Sequence, residues 1–216
     1  MTDTVQAVLW DFGGVILSSP FDAFADYERE AGLPENFIRG LNARNPDTNA
    51  WAQMERSEIG TDTFATLFEA EAAAAGQRID GQRVLSLLSG AVRPEMVEAL
   101  RRVRTRYRVA CITNNVKAGE GPGMARNAER ARQIAEIMTL FEHVVESSRL
   151  GLRKPDPRIY HHACNLLGVG PDRCIYLDDL GINLKPARAM GMRTIKVVEP
   201  AQAIAELEGM TGMALR

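Results

Sequence analysis

The stretch "VLWDFGGVIL", residues 8–17, sets an unbroken apolar run against one carboxylate and two glycines. Its opening reads as a strand buried on both faces, because it lacks the polar alternation of a half-exposed strand. Asp11 then stands where that strand leaves the sheet. Four later runs have the same character: "YRVACITN" (107–114), "EHVVES" (142–147), "RCIYLDD" (173–179) and "MRTIKVV" (192–198). Each is short and rich in Val or Ile, and helical stretches separate them. This alternation predicts an α/β fold, a Rossmann-like doubly wound parallel sheet with helices on both faces.

The helices are legible from caps and periodicity. "RPEMVEALRRVRTRY" carries Pro94 in its first turn and Met96, Val97, Leu100 and Val103 at helical spacing, and "DPRIYHHACNLLG" stops at Gly168. "INLKPARAMG" reads as a short helix ended by Gly191, with Pro186 near its start, where a missing amide proton costs least. Residues 18–92 differ. Strand-like runs vanish and amphipathic pieces follow one another: "FDAFADYEREAG", "PENFIRGLNA", "TDTFATLFEAEAAAAG" and "GQRVLSLLSG". They predict a helical cap, 18–92, inserted into a core made of 1–17 and 93–216. The charged stretch "KAGEGPGMARNAERARQ" (117–133) reads as a loop leading into a polar helix. Pro122 and the lack of a following Lys-Ser/Thr set it apart from a phosphate-cradling loop.

Twenty-six Lys and Arg against 28 Asp and Glu are scattered along 216 residues, so no basic face for nucleic acid is expected. No apolar run approaches the roughly 18–20 residues that span a bilayer, and the first residues lack a signal-like pattern, so no membrane contact and a cytoplasmic location are expected. Cys111, Cys164 and Cys174 are odd in number and set among apolar residues, which predicts reduced core thiols. Both monomer and homodimer fit.

Polar residues collect at the predicted strand ends: Asp11, then Thr113, Asn114 and Asn115, then Asp178 and Asp179. Singly, each is ordinary turn or cap chemistry. Together they bring two or three carboxylates to the edge of a parallel sheet where ligands bind. Such crowding calls for a cation, and a hard divalent ion of the Mg²⁺ type takes oxygen ligands while leaving room for a substrate phosphate. Lys154, in "LRKPDP", adds a positive charge expected at the same edge.

The ordered motifs "WDFGGV", "CITNN", "RKPDPRIY" and "YLDDLGINLKPARAMGM" resemble motifs one to four of the haloacid dehalogenase-like superfamily. The last resembles especially the N-terminal phosphatase domain of soluble epoxide hydrolases, related domains fused to acyl-CoA dehydrogenases, and bacterial sugar-phosphate phosphatases. The resemblance implies a Mg²⁺-dependent phosphatase acting on a small phosphorylated metabolite. It implies Asp11 as nucleophile, Thr113 and Lys154 as phosphoryl-binding groups, and Asp11, Asp179 and the Gly13 carbonyl as metal ligands, with Asp178 beside them. Gly14 and Asn114 are expected at the substrate. Asn183 and Arg188 follow the family pattern too, but read first as helix-start and surface residues.

One departure matters. Most phosphatases of the superfamily carry a second Asp two residues after the first, as general acid and base, and this chain has Gly13. Substrates with good leaving groups, or an acid borrowed from the cap through Asp47 in "NPDTNAW", are the two expected compensations. Trp51 is expected at the cap entrance, and Phe64 and Phe68 in the cap core. A slow or non-catalytic phosphometabolite-binding protein is one alternative. A haloacid dehalogenase is another, although that chemistry needs no metal and "LDD" speaks against it. A phosphonatase needs a cap lysine, and residues 18–92 contain none.

Overall fold

The computed structural model describes residues 4–115 and 128–216. In chain order they form β1 (Ala7–Trp10), then helices α1 (Pro20–Glu30), α2 (Phe37–Asn42), α3 (Ala50–Glu55), α4 (Thr61–Ala74), α5 (Gly81–Ser86) and α6 (Pro94–Val103). There follow β2 (Arg108–Thr113), α7 (Ala128–Met138), β3 (His143–Glu146), α8 (Ser147–Leu150), α9 (Pro157–Leu167), β4 (Cys174–Asp178), α10 (Gly181–Ala189), β5 (Arg193–Lys196) and α11 (Pro200–Thr211). Residues 117–127 of the charged stretch lie outside the described residues.

The strands form one parallel sheet in the order β3-β2-β1-β4-β5. Strand alternation divides its core in two. Val8, Trp10, Val109, Cys111, Ile175 and Leu177 face α6, α7 and α11 on one side. Ala7, Leu9, Ala110, Ile112, Cys174 and Tyr176 face α9 and α10 on the other. Burial on both faces explains the continuous apolar runs, since neither set of side chains meets water. The three cysteines are free and buried, and burial, with Asp11 adding to it, pushes the Cys111 thiol up and keeps it inert.

The chain leaves β1 toward β2 and β3, then returns past β1 to build β4 and β5. The crevice between the carboxyl ends of β1 and β4 is therefore the topological switch point, where ligands bind in open α/β sheets. Trp10 is level with Leu177, and Asp11 N–H donates to the Leu177 carbonyl at 2.8 Å. This register brings Asp11 beside Asp178.

Helices α1 to α5 build a separate apolar cluster around Phe24, Ile38, Met54, Phe64, Phe68 and Val84. Phe64 and Phe68 are fully buried, and their stacked rings lie 5.0 Å apart. The two connections to this helical segment run side by side: Leu17 and Val92 form an antiparallel bridge, Ser18 N–H donates to the Ala91 carbonyl at 2.7 Å, and Ala91 N–H donates to Ser18 Oγ at 2.8 Å. Among the described residues no helix is long and apolar enough to cross a membrane.

One expectation fails in detail. Pro186 lies in the interior of α10, not near its start. The amide it lacks leaves the Ile182 carbonyl without its usual helical donor, and Ile182 is an exposed residue of the first turn.

Candidate active site

Asp11 leaves β1 with its side chain buried, because β2 and β4 flank that strand on both sides. Lys154 Nζ meets it, at 2.7 Å from Asp11 Oδ1 and 2.8 Å from Asp178 Oδ2. This lysine is 1% exposed and Asp178 is fully buried. Burial opposes a charged amine, but the carboxylates of Asp11 and Asp178 outweigh it and hold the ammonium above its ordinary range. Burial also pushes the Asp11 carboxyl well up; Lys154 pulls it back, and the charges of Asp178 and Asp179 push it further. Burial and Asp178 likewise raise Asp179, against the hydrogen bond from Ser19.

The two acids of "LDD" differ in their surroundings. Asp178 accepts from Lys154, from Leu180 N–H at 2.8 Å, from Asn183 Nδ2 at 3.1 Å to each oxygen, and from the Tyr176 hydroxyl. Burial and Asp178 keep that phenol protonated as a donor. Asp179 has far fewer partners, its Oδ2 accepting from Ser19 Oγ at 3.0 Å. Asp178 is thus fixed by the protein, and Asp179 is the freer carboxylate.

Asp11, Asp178 and Asp179 each offer an oxygen within 4.8 Å of the others. With all three ionised and Lys154 as the paired cation, the cluster is two charges short of neutrality. Hard oxygen donors with a deficit of that size fit a divalent ion of the Mg²⁺ type. The glycines shape the same corner. Gly14 has φ +76°, and a Cβ there would lie 2.2 Å from Asp179 Oδ2, so glycine is the residue that fits. A Cβ at Gly13 would meet nothing within 4 Å, so space for the missing acid is open.

Thr113 ends β2 as a buried residue at the same sheet edge. Asn114 is held by the peptide of Lys154: Lys154 N–H donates to its Oδ1 at 2.8 Å, and its Nδ2 donates to the Lys154 carbonyl at 3.0 Å. Its amide thus shapes the lysine loop. Asp47 is exposed in the turn before α3. Trp51 is half-buried among Phe24, Phe64 and Phe68, and its Nε1 donates to Glu55 Oε1 at 3.1 Å. Asn183 does more than start a helix, since it is buried and its amide grips Asp178. Its place five residues after that acid, within the first turn of α10, is a signal the sequence carries. Arg188 is exposed and donates to Thr194 Oγ1 at 2.8 Å. Ser19 and Glu55 had no such signal, because each meets its partner across a long separation in the chain.

Lys154→Met is expected to destabilise the metal-free protein by about 3–5 kcal/mol, because it leaves two buried carboxylates without their cation. For a chain of this size that is a fall in Tm of about 10 °C. Thermal melting in EDTA reads it directly, and a Tm unchanged from the parent would contradict the burial of the pair.

The haloacid dehalogenase-like hydrolase family model matches residues 5–191. Mouse acyl-CoA dehydrogenase family member 10 is 31% identical over 97% of this chain and 19% of its own length. Mouse bifunctional epoxide hydrolase 2 is 27% identical over 96% of this chain and 39% of its own. The chain thus spans a fifth to two-fifths of these relatives. A phosphatase of Mycobacterium tuberculosis is 28% identical over 92% of this chain and 90% of its own. Among solved structures, a HAD-family enzyme of Bacteroides thetaiotaomicron, crystallised with magnesium and inorganic phosphate, shares the fold at TM-score 0.55 and 18% identity, over 88% of this chain and 93% of its own. A dehalogenase does so at TM-score 0.61 and 20% identity, over 99% and 100%.

Proposed function

Since the chain belongs to the haloacid dehalogenase-like hydrolases, we propose that it is a Mg²⁺-dependent phosphatase that hydrolyses a small phosphate monoester through an aspartyl-phosphate on Asp11. The observation that carries this reading is the buried Asp11–Lys154–Asp178 triad with Asp179 beside it. Paired acids around a lysine suit transfer to phosphorus, and the relative of M. tuberculosis that spans nearly the same length is a phosphatase. Displacement at carbon needs no such set of oxygen ligands, which disfavours a dehalogenase.

Asp11 is the nucleophile: one carboxylate oxygen bonds to phosphorus as the ester oxygen departs with its electron pair. The Lys154 ammonium and the Thr113 hydroxyl bind the phosphoryl oxygens whose charge grows in transfer. Water then cleaves the phosphoenzyme at phosphorus, restoring Asp11 and releasing phosphate. Asp11, Asp179 and the Gly13 carbonyl would hold the Mg²⁺, which supplies a Lewis-acid charge beside the phosphoryl group. Asp178, gripped by Asn183 and Tyr176, keeps Lys154 in place. We assign residues 1–17 and 93–216 as the catalytic core and 18–92 as a cap that selects the leaving group. With Gly13 in place of the usual acid, substrates whose leaving groups depart unprotonated are favoured.

Phosphate release over a panel of phosphorylated metabolites, with Mg²⁺ and with EDTA, tests this. Release that needs Mg²⁺ is expected. Gly13 favours a second reading, a phosphometabolite-binding protein without turnover, and that one predicts Mg²⁺-dependent ligand binding with no phosphate released. The metal alone is expected to stabilise the fold: at 100 times its Kd, Mg²⁺ adds about 2.7 kcal/mol, a rise in Tm that melting with and without the ion measures.

A further inference from the structure

Glu55 closes α3, is 8% exposed, and reaches from the helical segment into the loops around Asp11. Its Oε2 accepts from Arg153 Nε at 2.6 Å and from Asn114 Nδ2 at 3.2 Å. On the helical side its Oε1 accepts from Trp51 Nε1 at 3.1 Å. Its backbone carbonyl accepts from Ser147 Oγ at 2.7 Å, and Arg153 Nη1 donates to the Pro46 carbonyl at 2.8 Å. The end of α3 and the turn before it are thus tied to loops that follow β2 and β3. One carboxylate stands at the centre.

The path continues inward. Asn114, held by Glu55, brackets Lys154 through both of its backbone polar groups, and Lys154 Nζ ends on Asp11 and Asp178. A mostly buried ion pair such as Glu55–Arg153 gives little net stability over an apolar replacement, so its value lies in the geometry it specifies. Here it specifies two things together: where the helices sit over the site, and where the lysine loop lies.

We propose that Glu55 is a positioning residue, a latch through Arg153 and Asn114 that makes seating of the helical segment and placement of Lys154 a single event. The proposal rests on the phosphatase reading, which gives Lys154 its task. Glu55 itself moves no proton and touches no phosphorus. Its substitution therefore lowers transition-state stabilisation for every substrate alike.

Glu55→Gln leaves one accepting oxygen where two are used, so the side chain can no longer accept from Trp51 on one side and from Arg153 and Asn114 on the other. It is expected to lower kcat for p-nitrophenyl phosphate by about 10²-fold, the effect of misplacing a catalytic group by roughly 1 Å, with KM little changed. Alkyl phosphates lose the same factor. Trp51, one of two tryptophans, reports the latch independently of turnover. Its emission moves to the red as the indole N–H exchanges Glu55 for water, while Trp10 stays buried. Arg153→Met cuts the same link from the sheet side and gives the same results if Glu55→Gln does not fold.

Parental kcat and Trp51 emission in both variants would overturn the latch. So would a loss confined to alkyl phosphates, which would make Glu55 a proton donor. Asp11→Asn separates the two readings, because it ends turnover while leaving Trp51 emission unchanged. If the parent protein releases no phosphate, the phosphatase reading fails, and unshifted emission in both latch variants then overturns the latch separately.

Discussion

Asp11→Asn is expected to abolish Mg²⁺-dependent hydrolysis of p-nitrophenyl phosphate, lowering kcat by on the order of 10⁶, the loss produced by removing an enzymic nucleophile. The variant isolates chemistry from folding. An Asn oxygen still accepts from Lys154, which sits 2.7 Å away in the parent, and the shape of the buried site is kept. Burial and the charges of Asp178 and Asp179 all oppose ionisation of the Asp11 carboxyl, so a neutral amide relieves crowding. In EDTA the variant should melt at or above the parent. Steady-state rates and a melting curve together check the prediction. Undiminished activity would remove Asp11 from the reaction and the aspartyl-phosphate with it.

Gly13→Asp is expected to raise turnover of alkyl phosphates by about 10²–10⁴, the range that a positioned acid supplies, and to change aryl phosphates little. Room for it is present, since a Cβ at Gly13 meets nothing within 4 Å and the position has no left-handed backbone. A leaving alkoxide needs its proton in the transition state, whereas a phenolate departs without one. The added carboxylate joins three others, so the gain should need bound Mg²⁺ to offset their repulsion. Rates for esters of graded leaving-group pKa, in both proteins, measure it. A uniform loss across the series would show that the glycine serves geometry.

The frame of the site was legible because it follows from local rules. Val8–Trp10 and the runs that form β2 and β4 are buried on both faces, β3 and β5 at the sheet edges are half-buried, and residues 107–114, 142–147, 173–179 and 192–198 hold β2 to β5. Parallel strands then bring Asp11, Thr113, Lys154, Asp178 and Asp179 to one edge. What joins them laterally was not legible. Ser19 meets Asp179 across 160 residues, and Arg153 meets Glu55 across 98, with no periodicity to announce either. Helix α3 has too few residues to show a period, and only its cap marks it, the Asn49 side chain accepting from Ala52 N–H at 2.8 Å. Asp47, the expected cap acid, is exposed in the turn before α3, and nothing in its position pointed to Glu55 as the carboxylate that meets Asn114 and Arg153. Pro186 misled for the opposite reason, because the packing of Leu184 and Ala187 against the sheet holds α10 through the missing bond.

The bridge between Leu17 and Val92 separates two kinds of inheritance. Everything between these residues departs from and returns to one spot beside the sheet, so its length and sequence can drift while the strand register stays fixed. Under the proposed division into core and cap, selection on what the protein accepts and selection on how it breaks the bond act on different stretches of one chain. Glu55 and Ser19, reaching back across that spot to Arg153 and Asp179, are where a change in one stretch must be answered by the other.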